Sequence, residues 1–387
     1  MHKATQNHRY KLIFNIYLMT TLFLSLLKVS VHSSNHLSCV PSSKEWSQMY
    51  EMAAKHALLG VCFNGVQYLY THQPDYVVNL PIMLKMRWLG IAASIQKRNE
   101  LMNLRCKELQ QRLLDAGLSA CVLKGQGVAT YYKTSEDGVS LAYLRQSGDI
   151  DMWIKGGYDA VCNYVQRTHP SKDVSYHRFH YNVFNDAEVE LHHRPSMMNN
   201  PFHNRKLQKW ADDFVTDQFV KAEKLGFYMP SSSFNKLFLL CHTYRHFVSE
   251  GVGLRQLMDY YFVLLNSDSG ENLEVMSKIR QIGMGQFAAA VMWIMQYLFD
   301  LDETKMLCLP NKEEGEYLLR EVLLAGNFGH YDERYAHSGR YAMQLQNIRH
   351  SMHLLIHYPS EVLWMPLWLI WHFFWKWNKK RFIRLYE

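Results

Sequence analysis

Leu144 to Ile154 reads LRQSGDIDMWI, and the reading of this stretch decides the fold. Asp149 and Asp151 interrupt an otherwise apolar run. Alternation predicts a strand, in which both aspartates project to one face while Ile150 and Met152 point to the other. Gly148 lets the backbone approach closely just before them. Carboxylates converging to about 4 Å repel by roughly 4 kcal/mol at an effective dielectric near 20. A shared proton, an arginine such as Arg145, or a divalent cation would offset that cost. Mg²⁺ takes hard oxygen ligands, one or two carboxylates together with substrate phosphates.

The neighbouring segments bear on this choice. In AEVELHHRP, Glu188, Glu190 and His192 alternate with Val189 and Leu191, again placing polar groups on one face of a predicted strand. Asp149, Asp151 and Glu190 on adjacent strands would suit two metal ions about 3.5 to 4 Å apart, the arrangement that serves an attacking and a leaving oxygen. Upstream, VLKGQG sets a glycine turn after a short strand, with Lys124 beside it, where backbone N–H groups can meet phosphate oxygens. A single DxD also describes an ordinary solvated strand. The order carries the argument: strand, glycine turn, helix, strand with DID, later strand with a third acid.

Further out the chain reads as helical on both sides. Lys44 to Leu59 and Leu84 to Ala116 carry apolar residues at helical spacing, separated by a turn near Pro74 and Pro81. Between Ser119 and Arg194 the pattern is mixed, with GVATYYK and a segment starting near Gly157 as helices and YHRFHYNVF as a further strand. GFYMP adds a short strand. Ser231 to Ser233 then offer N-caps before Phe234 to Phe247, Leu254 to Leu265 and most of Glu271 to Phe299, all helical. The expected fold class is α+β, a small mixed-sheet core flanked by N-terminal helices and a C-terminal helical domain. The expected boundaries are an apolar extension over 1–22, a helical segment over 23–117, the α/β core over 118–230 and the helical domain over 231–387.

With 387 residues, 48% hydrophobic and 20% charged, the chain can bury a sizeable core and is not globally disordered. The net charge of +7 is mild and partly confined to KWNKKRFIR, Lys376 to Arg384, so it carries no strong nucleic-acid signal. Seven scattered cysteines without CxxC spacing fit a reducing compartment and supply no structural zinc site. Leu12 to Leu27 is apolar after Arg9 and Lys11, but Asn15, Thr20 and Thr21 dilute it and Lys28 interrupts it. It reads either as a signal or short anchor, or as the approach to a first amphipathic helix over Phe23 to Val31 with the true start at an internal methionine such as Met19. Ser360 to Trp377 is the most aromatic segment and runs into the basic cluster, which suits either a docked final helix or peripheral membrane contact through 360–384.

LKGQGVATYY, LRQSGDIDMWI, VELHHR and FLLCHTYRHFVSEGVGLRQLMDYYFVL together resemble the uncharacterised nucleotidyltransferase family of bacteria, a divergent branch of the DNA polymerase β-like superfamily. The resemblance extends from about residue 23 onward. It implies a cytoplasmic, magnesium- or manganese-dependent transferase, metal-binding and nucleotide-binding, moving an NMP from an NTP to an unidentified acceptor. It implies Asp149, Asp151 and Glu190 as catalytic and metal-binding residues and Gly125 at the phosphate turn; Lys124 and Gln126 beside that turn are expected around the nucleotide, and Arg145 is either a phosphate clamp there or a buried ion pair holding the DID strand. Gln126 departs from the Ser or Gly of the superfamily, and Glu190 from its more usual aspartate. His192 alternates onto the face of the third acid. His242 and His246, at i and i+4 but without a HExxH glutamate, together with Arg255 and Asp259, border an acceptor pocket or form a structural network. The alternatives to an active enzyme are a catalytically inactive relative that binds nucleotide, and a membrane-peripheral accessory protein of surface polysaccharide assembly. The acceptor, the choice of NTP and the oligomeric state have no code in the sequence.

Overall fold

The computed structural model describes residues 19–132, 140–213, 219–332, 334 and 348–383. Residues 1–18, which hold the start of the N-terminal apolar stretch, lie outside the described residues, as does Arg384. The chain divides into two compact units.

The first unit takes in residues up to Asn99, together with Lys133–Gln146 and Tyr297–Asp300. It contains α1 (residues 19–30), α2 (Ser43–Lys55), α3 (Leu59–His72) and the first half of the long α4 (Ile82–Asp115). Leu22, Phe23, Leu26 and Leu27 of α1 are buried, so the described end of the N-terminal apolar stretch packs as a core helix. No helix among the described residues is long and apolar enough to cross a membrane. A capping box at Ser42 and Glu45 starts α2. The helix expected to run to Leu59 breaks early, at Ala57, whose φ of 56° lies in the left-handed region. Asn99 Nδ2, fully buried on α4, donates to the carbonyls of Tyr143 and Arg145, each at 2.7 Å, and ties that returning segment to the helix.

The second unit is built on a four-stranded mixed sheet. Its strands are β1 (Ala120–Val122), β2 (Ile150–Ile154), β3 (Arg178–His180) and β4 (Val189–His192), in the order β1-β2-β4-β3. β2 and β4 run parallel at the centre, and the two outer strands are antiparallel to their neighbours. The alternation holds through β2: Ile150, Met152 and Ile154 enter one apolar core with Val189 and Leu191. Met102, Cys106, Leu109 and Leu113 of α4 cover that face at helical spacing, together with Val161 and Val165 of α5 (Gly157–Thr168). The opposite face keeps Asp151, Glu190 and His192. Outside this sheet, α6 (Pro201–Asp213) precedes a hairpin of β5 (Phe219–Ala222) and β6 (Phe227–Pro230).

Helices then dominate: α7 (Ser232–Ser249), capped by Ser231, α8 (Leu254–Leu265), α9 (Asn272–Gln281), α10 (Gly285–Phe299), α11 (Lys312–Ala325) and the final α12 (Pro359–Ile383). The architecture is α+β, a small mixed sheet with helices on its N- and C-terminal sides.

Candidate active site

Register, more than composition, assembles the site. In the parallel pair β2–β4, Asp151 stands directly opposite Glu190. His192, two residues on, shares their face, and the antiparallel β3 places Arg178 opposite His192 and His180 opposite Glu190. Leu123, just past β1, donates its N–H to the Asp151 carbonyl at 2.9 Å. That bond brings Lys124 over the acids, with Lys124 Nζ 3.0 Å from Asp151 Oδ1.

His192 Nε2 lies 2.9 Å from Asp151 Oδ1 and 3.5 Å from Glu190 Oε2. Arg178 pairs with Glu190. Asp151, Glu190 and His192 are all buried, and one ligand atom from each lies within 4.8 Å of the others. Asp151 Oδ2 and Glu190 Oε2 make no hydrogen bond although both are buried. Buried carboxylate oxygens without a donor are costly. Two such oxygens beside an imidazole suit a hard divalent cation.

The electrostatics are mutual. Burial pushes Asp151 up, but Lys124 and His192 hold it below the ordinary carboxylate value. Burial likewise raises Glu190, yet His192 and Arg178 draw it down to about 2. Burial works to lower His192, and the neighbouring Asp151 and Glu190 carboxylates outweigh it and raise it. Lys124 is raised in the same way, burial being overcome by Asp149, Asp151 and Glu190. Both carboxylates are thus held below their ordinary values and both bases above theirs.

Asp149 sits immediately before β2, half-buried. With Lys124, Arg178, Glu190 and His192 it lines a cavity of about 410 Å³, whose far wall includes Arg245, His246 and Glu250 of the α7 end and Trp368 of α12. Asp149 is not one of the three residues that close on a common point.

The glycine turn also takes the expected place. Gly125, with φ 57° and ψ −113°, opens a single helical turn over Gln126–Ala129. Only this one turn of the helix expected from GVATYYK forms among the described residues. Gln126 is buried, its Nε2 donating to Asn103 Oδ1 at 2.6 Å. Glu188 is exposed, and Glu190 is the acid that faces inward. Arg145 belongs to the first unit, where its carbonyl accepts from Asn99.

Among the proposed acceptor residues, His246 reaches the cavity, while His242 is buried with its ring centroid 4.4 Å from that of His246. Burial, then Lys124, holds His242 well below the usual histidine value. Arg255 and Asp259 are buried on α8, and Asp259 Oδ1 accepts from the Tyr132 hydroxyl at 2.6 Å.

Sequence reading missed Arg178, Arg245 and His177. Arg245 lies 3.4 Å from His177 Nε2 and 2.8 Å from His246 Nε2. Arg178 carried a readable signal: in YHRFHY it alternates with Phe179, which is fully buried in the sheet core. Arg245 carried none, since its role depends on where α7 packs.

No curated protein and no solved structure matches the chain. A family model described as uncharacterised nucleotidyltransferase matches residues 42–300, which include every strand among the described residues and both acidic segments. With Asp151, Glu190 and His192 gathered on a mixed sheet inside that span, the chain belongs to the uncharacterised nucleotidyltransferase family.

Proposed function

We propose that the protein is a metal-dependent nucleotidyltransferase that moves an NMP from an NTP to an acceptor hydroxyl or phosphate. The observation that carries this reading is the in-register pair of Asp151 and Glu190, each with a buried oxygen that makes no hydrogen bond. Asp151, Glu190 and His192, with Asp149 at the cavity edge, would hold Mg²⁺ or Mn²⁺. A bound divalent cation would neutralise phosphate charge and favour attack on the α-phosphorus.

The chain's own residues do the rest. Gly125 and the nearby backbone would hold the phosphates, and Lys124, Arg178 and Arg245 supply fixed positive charge around the cavity. Glu190, which lines the cavity, takes the acceptor's proton as the new oxygen–phosphorus bond forms and the α–β bridge breaks. Pyrophosphate leaves with the bonding electron pair. NTPs are cytosolic substrates, and we assign the reaction to the cytoplasm.

Purified protein with Mg²⁺ and each labelled NTP, with lysate as the acceptor source, should release pyrophosphate and transfer label. Asp151→Asn should abolish both while leaving the circular dichroism unchanged, and full activity in that variant would overturn the assignment. NTP binding without release in the wild type would instead identify an inactive relative, a reading that the buried, already hydrogen-bonded Gln126 favours.

A peripheral contact with lipid is proposed from α12. Leu363, Leu367, Ile370, Phe374 and Trp377 recur at three-to-four spacing and are all more than half exposed, and the exposed Lys380 and Arg381 follow them. An open apolar stripe ending in basic residues fits the surface of an anionic bilayer. The full chain should co-sediment with phosphatidylserine-containing vesicles, and Ile370→Asp with Phe374→Asp should release it. Equal sedimentation of that double variant would sink the contact.

A further inference from the structure

Beyond the acid site, the second unit holds a groove of about 880 Å³ between α6 and α12. Asn199 and Trp368 line both this groove and the acid cavity, so the two openings adjoin. The groove is held in shape by Glu361, which is buried at the start of α12. Glu361 Oε2 accepts from the Asn199 N–H at 2.6 Å and the Asn200 N–H at 3.3 Å, and Oε1 lies 3.2 Å from His203 Nδ1. Such a preformed cleft beside a reactive centre is where a second substrate would sit.

Its two walls differ in chemistry. Along α12, Trp364, Trp368 and Trp371 follow one another at i, i+4 and i+7, which at 1.5 Å per residue makes an aromatic platform roughly 10 Å long. The wall on α6 carries Asn204, Gln208 and Asp212 at four-residue spacing: Asn204 is bonded to Tyr176, Met198 and Gln208, the Gln208 amide N–H groups go to Ser196 and Asn204, and the Gln208 carbonyl and the Asp212 carboxylate are acceptors on this wall. Arg194, Arg205 and Lys209 are countered by Asp212 and Asp213, so the groove has no single-sign field of the kind that gathers polyphosphate or nucleic acid.

We propose that this groove binds the acceptor, and that the acceptor is a short saccharide. A pyranose is amphipathic in the matching sense: its C–H face packs on an indole while its ring-edge hydroxyls reach amide and carboxylate groups. A single nucleobase needs one aromatic slot and would leave most of a 10 Å platform empty. A saccharide lying along the platform would pass Asn199 and Trp368 and present its terminal hydroxyl toward Glu190. This proposal rests on the nucleotidyltransferase reading. The hydroxyl oxygen bonds to the α-phosphorus, its proton goes to Glu190, and pyrophosphate departs.

The test separates the groove from the acid site. The full chain is titrated with chitotetraose, maltotetraose and tetragalacturonate, following tryptophan emission and calorimetric heat, without NTP. At least one of the three should bind in the submillimolar range. Trp364→Ala and Trp371→Ala, each a partly exposed side chain, should weaken that binding tenfold or more and leave ATP binding unchanged, whereas Asp151→Asn should bind the saccharide as the wild type does. The proposal is overturned if none of the three binds at millimolar concentration, if both tryptophan variants bind as the wild type, or if ATP competes for the groove and so marks it as the base site. Pyrophosphate release in the wild type reads the acid site separately, so loss of saccharide binding with release retained fails the groove alone. Saccharide binding without release under any NTP fails the enzyme reading alone.

Discussion

Gly125 and Gly127 flank Gln126 for different physical reasons. Gly125 holds φ at 57° with ψ at −113°, a combination that a side chain does not tolerate, so Gly125→Ala should cost about 1–3 kcal/mol. Gly127 has an ordinary φ, but a Cβ there would meet the Val122 carbonyl oxygen at 2.4 Å. Gly127→Ala should therefore push the turn off β1 and cost a similar 1–3 kcal/mol. Urea midpoints check both, and a neutral Gly127→Ala would show that β1 yields easily. His56 belongs to the same scale. Burial first, and Lys55 second, lower it from its usual value to about 3, and its ring stacks on Phe23 at 5.9 Å. Because the unfolded chain takes up the proton near pH 6.5 and the folded chain only near 3, stability should fall as pH drops through that window, by up to about 1.4 kcal/mol per pH unit. His56→Gln should reduce that slope by up to the same amount in urea titrations at several pH values, the other buried histidines keeping the remainder, and an unchanged slope would remove His56 as a source. Gly125 was readable as a turn because glycine after a strand is a local signal. Gly127's contact and His56's burial were not, since both depend on what packs against them.

At the scale of elements, Asn99 ties the segment returning after the described Ser140 to α4. Asn99→Ala would leave the Tyr143 and Arg145 carbonyls without the donor they now share, at a cost of about 2–4 kcal/mol. Hydrogen exchange should then show residues 141–146 opening ahead of α2 and α3, and unchanged protection there would contradict the tie. Elements with long, regular patterns were legible: α4, α7 and α8 lie close to where apolar spacing put them. β4 and β6 were legible too, from alternation and from a short apolar run. β5 was missed, since Phe219–Ala222 is only four residues, none of them buried, and pairs with β6 among the described strands. β3 is shorter than YHRFHYNVF suggested: three residues pair in register with β4, and past them Tyr181 still donates its N–H to the Val189 carbonyl at 2.9 Å.

For the whole molecule, a ligand that binds only the folded state raises stability, by about 2.7 kcal/mol at a hundred times its Kd. Mg²⁺ or Mn²⁺ should accordingly raise the melting temperature of the wild type, with Ca²⁺ as a comparison. Asp151→Asn with Glu190→Gln should lose that response, and an identical shift in the double variant would place any bound cation elsewhere. The residues concerned come from the end of β1, from β2, β3 and β4, and from α7 and α12, so cooperative folding of the second unit assembles the site as one event.

The sequence by itself determined the alternating faces of the DID and ELH segments, the glycine turn beside Lys124 and the α+β class, because each follows from a period of two or 3.6 within a few residues. The family resemblance implied Glu190 as the third acid, and in the structure Glu190 is buried whereas Glu188 is exposed. Only the tertiary structure decided that Asp151 pairs in register with Glu190, that His192 rather than Asp149 closes on them, and that Arg178 and Arg245 border the same cavity. Those are consequences of strand register and helix docking, which buried contacts between distant segments set and no local period encodes.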